Sequence, residues 1–91
     1  MAVMEKVFHS DPGHGWMAVK LSELKMLGIE ADISSYSFVK GKTAYLEEDV
    51  DAMAFINAAK ARGIEVKIKE GPQRDRSPIR YFKSYSPELV E

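Results

Sequence analysis

Apolar and polar residues alternate in some parts of this 91-residue chain and recur at helical spacing in others, and the two periods mark out its elements. Residues 1–8 (MAVMEKVF) place Val3, Glu5 and Val7 on one side and Met4, Lys6 and Phe8 on the other, which predicts a strand. Residues 16–20 (WMAVK) resume that pattern. Between them, Ser10-Asp11-Pro12-Gly13 has turn chemistry: Pro presets one central dihedral and Gly supplies the positive φ of a type II turn. The opening therefore reads as a wide hairpin. Leu21, Leu24 and Leu27 recur every third residue, which predicts a short helix over 22–27 that Gly28 ends by accepting a left-handed backbone.

Residues 33–39 and 43–46 flank Lys40-Gly41-Lys42, and a Gly within three connecting residues signals a second hairpin. A longer helix is expected over 48–62. Ala52, Phe55, Ile56 and Ala59 share one face, widened by Val50 and Met53, with Glu47, Asp51 and Arg62 opposite. Acids crowd its start and Lys60 and Arg62 its end, as the helix dipole favours. Gly63-Ile64 repeats the Gly-Ile stop of the first helix. Residues 64–69 (IEVKIK) alternate strictly, with Ile64, Val66 and Ile68 inward, as in a strand with one wet face. Residues 71–78 (GPQRDRSP) have loop composition, and 79–85 (IRYFKSY) suit a last strand.

The order ββαββαβ predicts one α+β domain over residues 1–85 and a flexible C-terminal tail over 86–91. Its architecture is expected to be a single antiparallel sheet of about five strands, with two helices packed on one face. The other face would leave Lys67, Lys69 and several aromatics in solvent.

Composition narrows the chemistry. A hydrophobic share of 45% and a charged share of 30% belong to a folded chain. The absence of cysteine removes disulfides, thiolate metal sites and Cys nucleophiles, and fits a reducing compartment. Neither a bilayer-spanning run nor an apolar leader block is visible, which predicts a cytoplasmic protein. The net charge of −1 conceals a division. Residues 1–59 carry five Lys/Arg against nine Asp/Glu, residues 60–83 carry eight against three, and residues 84–91 add two acids. A chain polarised in this way steers partners if folding keeps the two signs apart.

Three stretches are candidate sites. The nine residues FHSDPGHGW hold His9, Asp11, His14 and Trp16. Two imidazoles and a carboxylate are ligand types for a divalent metal. Their setting on a turn argues instead for architecture, with Asp11 accepting local N–H groups and Trp16 anchoring a core. The acidic run Glu47, Glu48, Asp49 and Asp51 exceeds what a helix start requires, and it suits a partner's basic groove by imitating phosphates. The basic stretch Lys67, Lys69, Arg74, Arg76, Arg80 and Lys83, with Tyr81, Phe82 and Tyr85 nearby, mixes cations and rings as single-strand binders do. Glu65, Glu70 and Asp75 interrupt it. No phosphate-binding Gly loop, Ser-His-Asp set or catalytic carboxylate pair is present in the sequence.

The blocks FHSDPGHGW, LSELKMLGI, ISSYSF, YLEEDVDA and IRYF together resemble a family of small proteins encoded by tailed phages and prophages, over residues 7–83. That family carries no established activity, so the resemblance implies no catalytic residue. Its members often have Cys where Val50 stands here, so any thiol role at that position is absent. The resemblance implies an accessory protein that acts on host machinery, defence nucleases and their guide complexes included. The leading expectation is thus a non-enzymatic protein that binds and modulates a host protein or nucleoprotein, for instance as an anti-defence (anti-CRISPR-like) inhibitor. It would need no cofactor and no membrane, and would act as a monomer or homodimer. Partner contact is expected at Glu47, Glu48, Asp49, Asp51, Arg74, Arg76 and Arg80. The alternatives are nucleic-acid binding through the basic stretch and metal-dependent hydrolysis at His9, Asp11 and His14.

Overall fold

The computed structural model describes residues 2–73 and 78–90. Strand β1 (Ala2–Asp11) turns through Pro12-Gly13 directly into β2 (His14–Lys20), with Asp11 opposite His14. The hairpin is therefore tight where the sequence suggested a wide one, because Gly13 takes φ +108° and lets both strands run to the turn itself. Helix α1 (Leu21–Leu27) follows at once, and Gly28 closes it with φ +70°. Next come β3 (Phe38–Lys40), β4 (Thr43–Glu47), α2 (Asp51–Ala61), β5 (Ile64–Gln73) and β6 (Lys83–Ser84).

The strands form one sheet in the order β5-β1-β2-β4-β3-β6. Among the described residues the architecture is thus α+β with a single six-stranded sheet, one strand more than expected. The sheet is also mixed. Strand β5 runs parallel to β1, in the register Ala2–Ile64, Met4–Val66, Lys6–Ile68, and every other pair is antiparallel. The reason is mechanical. Helix α2 carries the chain back to the end of the sheet where β4 began, so β5 must run as β4 does, and hence as β1 does. The two ββα units lie back to back, with β2 and β4 adjacent at the centre.

Both helices cover one face. Met17 and Val19 of β2, Val39 of β3 and Ala44 and Leu46 of β4 meet Leu21, Leu24 and Leu27 of α1 and Ala52, Phe55 and Ala59 of α2 in one core. Met4 and Phe8 of β1 join from the same face, and so does Lys6. The Lys6 ammonium reaches Glu23 of α1, whose Oε1 also accepts the Lys20 N–H at 2.7 Å. A buried charge paired in this way fixes where α1 sits on β1.

Four further expectations change. Residues 33–37 form no strand, because the backbone there turns to serve a buried carboxylate. Asp51 is fully buried at the start of α2. Its oxygens accept the Ser34 N–H at 3.1 Å, the Ser34 hydroxyl at 2.7 Å and the Ser37 hydroxyl, while Ser37 Oγ accepts the Glu47 N–H at 2.9 Å. Helix α2 also starts later than expected, so of the acidic run only Asp51 lies in its first turn. Residues 79–85 are a 3-10 turn (Pro78–Tyr81) followed by the two-residue β6. Residues 86–90, expected as a tail, contain a second short turn (Pro87–Leu89) and place Leu89 and Val90 against the core.

Asp51→Ala should lower the unfolding free energy by about 3 kcal/mol, and Ser37→Ala by about 1 kcal/mol. A shift of the urea midpoint at constant slope is the readout. Tyr85 gives a pH signature. Its ring is buried and its hydroxyl donates to the Glu30 carbonyl. Burial, helped by the nearby Glu30 and Asp51 charges, raises its pKa from 10.0 to about 12. Above pH 10 the unfolded chain gives up this proton while the folded chain keeps it. Stability contributed by the neutral phenol is therefore complete below pH 10 and is lost as pH rises towards 12, by roughly 2–3 kcal/mol in all. Tyr85→Phe should lack this alkaline component.

Candidate functional site: a cleft between the first turn and the acidic connection

The face opposite the helices is not left open. His9, Asp11, Trp16, Phe38 and Tyr45 occupy it, and residues 78–84 cross over them. Trp16, 2% exposed, meets Phe38 edge-on at 6.3 Å between ring centres, while Tyr45 meets His9 at 5.7 Å and Phe82 at 5.3 Å. Lys40 lies 5.0 Å over the Phe82 ring. The aromatics expected in solvent are thus a second, smaller apolar layer. Lys67 and Lys69 do stay exposed, on β5 away from that cover.

The crossing segment is pinned by one contact. Arg80 Nε donates to Asp11 Oδ2 and Arg80 Nη2 to Asp11 Oδ1, both at 2.7 Å, and the Asp11 side chain is fully buried. These two parallel bonds are the bidentate geometry in which Arg grips a carboxylate best. They raise the Arg80 pKa further above its ordinary value, against a smaller opposing effect of burial. Arg80 Nη2 also lies 2.8 Å from His14 Nδ1. Guanidinium nitrogens only donate, so Nδ1 accepts here and the ring proton sits on Nε2. The His14 ring in turn stacks on Trp16, 9° from parallel.

The two glycines flanking His14 serve different needs. Gly13 makes the turn. Gly15 permits a close approach: a Cβ there would stand 2.4 Å from Phe8 Cζ and 3.0 Å from Glu48 Oε2. Its carbonyl accepts the Glu48 N–H at 3.1 Å, and Trp16 pairs with Glu47 across the sheet. The GHGW half of the first motif, counted from the turn, therefore lies beside the acidic run in space, although more than thirty positions separate them in sequence.

Between them is an open cleft of about 660 Å³. Gly13, His14, Gly15 and Trp16 form one wall, Glu47, Glu48, Asp49 and Val50 another, and Ser35, Tyr36, Phe38, Arg80 and Ser84 complete it. Of the residues singled out by sequence, His14, Trp16, Glu47, Glu48, Asp49 and Arg80 meet here. Glu48 and Asp49 are exposed, and the Asp49 N–H is taken by the Glu47 carboxylate. His9 and Asp11 share the face but lie under the crossing segment. Asp51 does not belong to the set: a fully buried carboxylate with three hydrogen-bond donors presents nothing to a partner, and that expectation is corrected. Arg74 and Arg76 lie outside the described residues. Tyr36, 77% exposed, and Val50, 66% exposed, were not foreseen at the site. The SSYSF stretch reads as a strand, which hid the outward ring.

Among the described residues no three His, Asp or Glu side chains are grouped to hold a metal. The described cations of the basic stretch are dispersed as well: Lys67 and Lys69 lie on β5 and Lys83 on β6, at opposite ends of the sheet. No described helix is long and apolar enough to cross a membrane. Compared with protein-family models, curated proteins and solved structures, the chain matches none.

Gly15→Ala should cost about 1–3 kcal/mol, because Phe8 is held in the core and cannot yield freely. Chemical denaturation measures the loss, and a stability equal to the parent's would show that Phe8 has room to move.

Proposed function

We propose that this is a binding protein without chemistry of its own, and that the cleft receives a cationic segment of a protein or nucleoprotein partner. One observation carries the reading. Glu47, Glu48 and Asp49 are not consumed by helix α2, which begins after them, and instead stand along a cleft floored by Trp16 and Phe38 with Tyr36 exposed beside it. Carboxylates beside aromatic faces are the two groups that hold Arg or Lys best. Three acids in succession also imitate the negative charge of the phosphates that a basic groove is built to accept. The likeness to small phage proteins, carried by FHSDPGHGW and YLEED, supports a host target, and inhibition of an anti-phage complex is the form of action we favour.

The alternatives have less support. Hydrolysis at His9, Asp11 and His14 would require Asp11 to leave Arg80, which holds both its oxygens. Nucleic-acid binding would require cations gathered on one side, whereas Lys67 and Lys83 stand at opposite sheet ends.

Affinity capture from host cells, with the protein partner identified and its dissociation constant then measured on purified components, tests the reading. Glu48→Lys combined with Asp49→Lys should weaken binding at least about tenfold, and added salt should weaken the parent's binding too. Unchanged affinity in the reversed variant overturns it. Asp51 must be left intact, since its loss disturbs folding.

A further inference from the structure

Strand β5 ends the sheet, and among the described residues it pairs only with β1. The opposite end is the two-residue β6, too short to template another strand, while β5 is ten residues long. Its backbone phase follows from one bond. The Ala2 N–H donates to the Gly63 carbonyl, so in the parallel register the odd-numbered residues of β5 turn their peptide groups toward β1. Ile64, Val66 and Ile68 therefore aim theirs at the outer edge.

We infer that this edge pairs with the β5 edge of a second copy, antiparallel and centred on Val66, joining two sheets into one. Only registers that pair even-numbered residues with even-numbered ones satisfy the outward peptide groups, and the charge pattern selects among them. Centred on Val66, Glu65 faces Lys67 of the second copy twice, and Ile64 faces Ile68 twice. Glu65 and Lys67 then fall at the non-hydrogen-bonded positions, where side chains approach most closely. Centred on Lys67, the two Lys67 ammonium groups would collide. Centred on Ile68, each Lys67 would face Lys69.

The flanking strand agrees with the first choice. Glu5 of β1 lies beside Lys67 and Val3 beside Glu65, so a row across the joint reads Glu5, Lys67, Glu65 and Val3, with its three charges alternating in sign. On the helix side, Ile68 is 46% exposed, and a shallow groove of about 310 Å³ lined by Ile56, Ile64 and Val66 adjoins the edge. Pairing sets Ile68 of each copy beside Ile64 of the other, at that groove. The occupant that fits is this same chain.

Sedimentation equilibrium of the full chain, with circular dichroism to verify folding, tests the register. The parent should dimerise. Glu65→Lys and Lys67→Glu, each alone, should weaken self-association at least about tenfold, because each sets like charges opposite one another twice. An equimolar mixture of the two variants should regain the dimer as a heterodimer, since every facing pair is then opposite in sign. A parent that stays monomeric up to about 0.1 mM, single variants that dimerise as the parent does, or a mixture of folded variants that fails to associate would each overturn the proposal. None of these outcomes involves the cleft, so the binding reading is judged separately.

Discussion

The buried carboxylate of Asp51 is the contact on which the shape of the cleft depends. It draws in Ser34 and Ser37 from a segment that would otherwise extend as strand, and through Ser37 it holds the Glu47 backbone. A charge taken out of water must be fully hydrogen-bonded or it neutralises, so these donors are required and their geometry is fixed. The consequence reaches the surface. With residues 34–37 and 47 tied to the first turn of α2, Glu48 and Asp49 are confined to a short exposed turn, and Tyr36 is pushed outward beside them. The cleft is the outer side of this knot.

A second charged contact does the same for the opposite wall. Asp11 and Arg80 are sixty-nine positions apart, and their bidentate pairing lays the C-terminal segment across the sheet face that the helices leave bare. A lone six-stranded sheet with helices on one side would expose Trp16, Tyr45 and Phe38 to water. The strap gives Tyr45 the Phe82 ring as cover and buries its own Ile79. Histidine 14 joins this arrangement through its acceptor nitrogen, so turn, strap and aromatic layer form one unit.

Much of this fold was legible in the pattern of residues. Leu21, Leu24 and Leu27 announced α1, the face Ala52–Phe55–Ala59 announced α2, and the alternation of 64–69 announced β5. These are local signals, in which period alone decides. The features that escaped are non-local. Nothing in SSYSF distinguishes a strand from a loop folded round a carboxylate fourteen to seventeen positions later, so the buried role of Asp51 and the outward ring of Tyr36 are hidden in the sequence. The parallel pairing of β1 with β5 follows from which end of the sheet α2 returns to, and that is a property of the whole topology. For the candidate site, sequence picks out His14, Trp16, Glu47, Glu48, Asp49 and Arg80 separately. Their meeting depends on the pairing of Trp16 with Glu47, a register between strands that no single stretch encodes.

The two ends of the sheet show how charge placement decides what an edge does. Natural edges are commonly protected by brevity or by Lys side chains that make a second strand unwelcome. Strand β6 is protected by brevity. Strand β5 carries Lys67 and Lys69, which taken alone would count as protection, but Glu65 stands two positions before Lys67 on the same face. An acid and a base spaced by two are complementary to themselves about the residue between them once the strand is reversed. In the pairing we propose, the same cation that repels an arbitrary strand becomes a contact for one particular strand in one register. Selectivity of this kind needs no deep pocket. It needs only that the apolar face (Ile64, Val66, Ile68) and the charged face share one two-fold centre, and in β5 both centre on Val66.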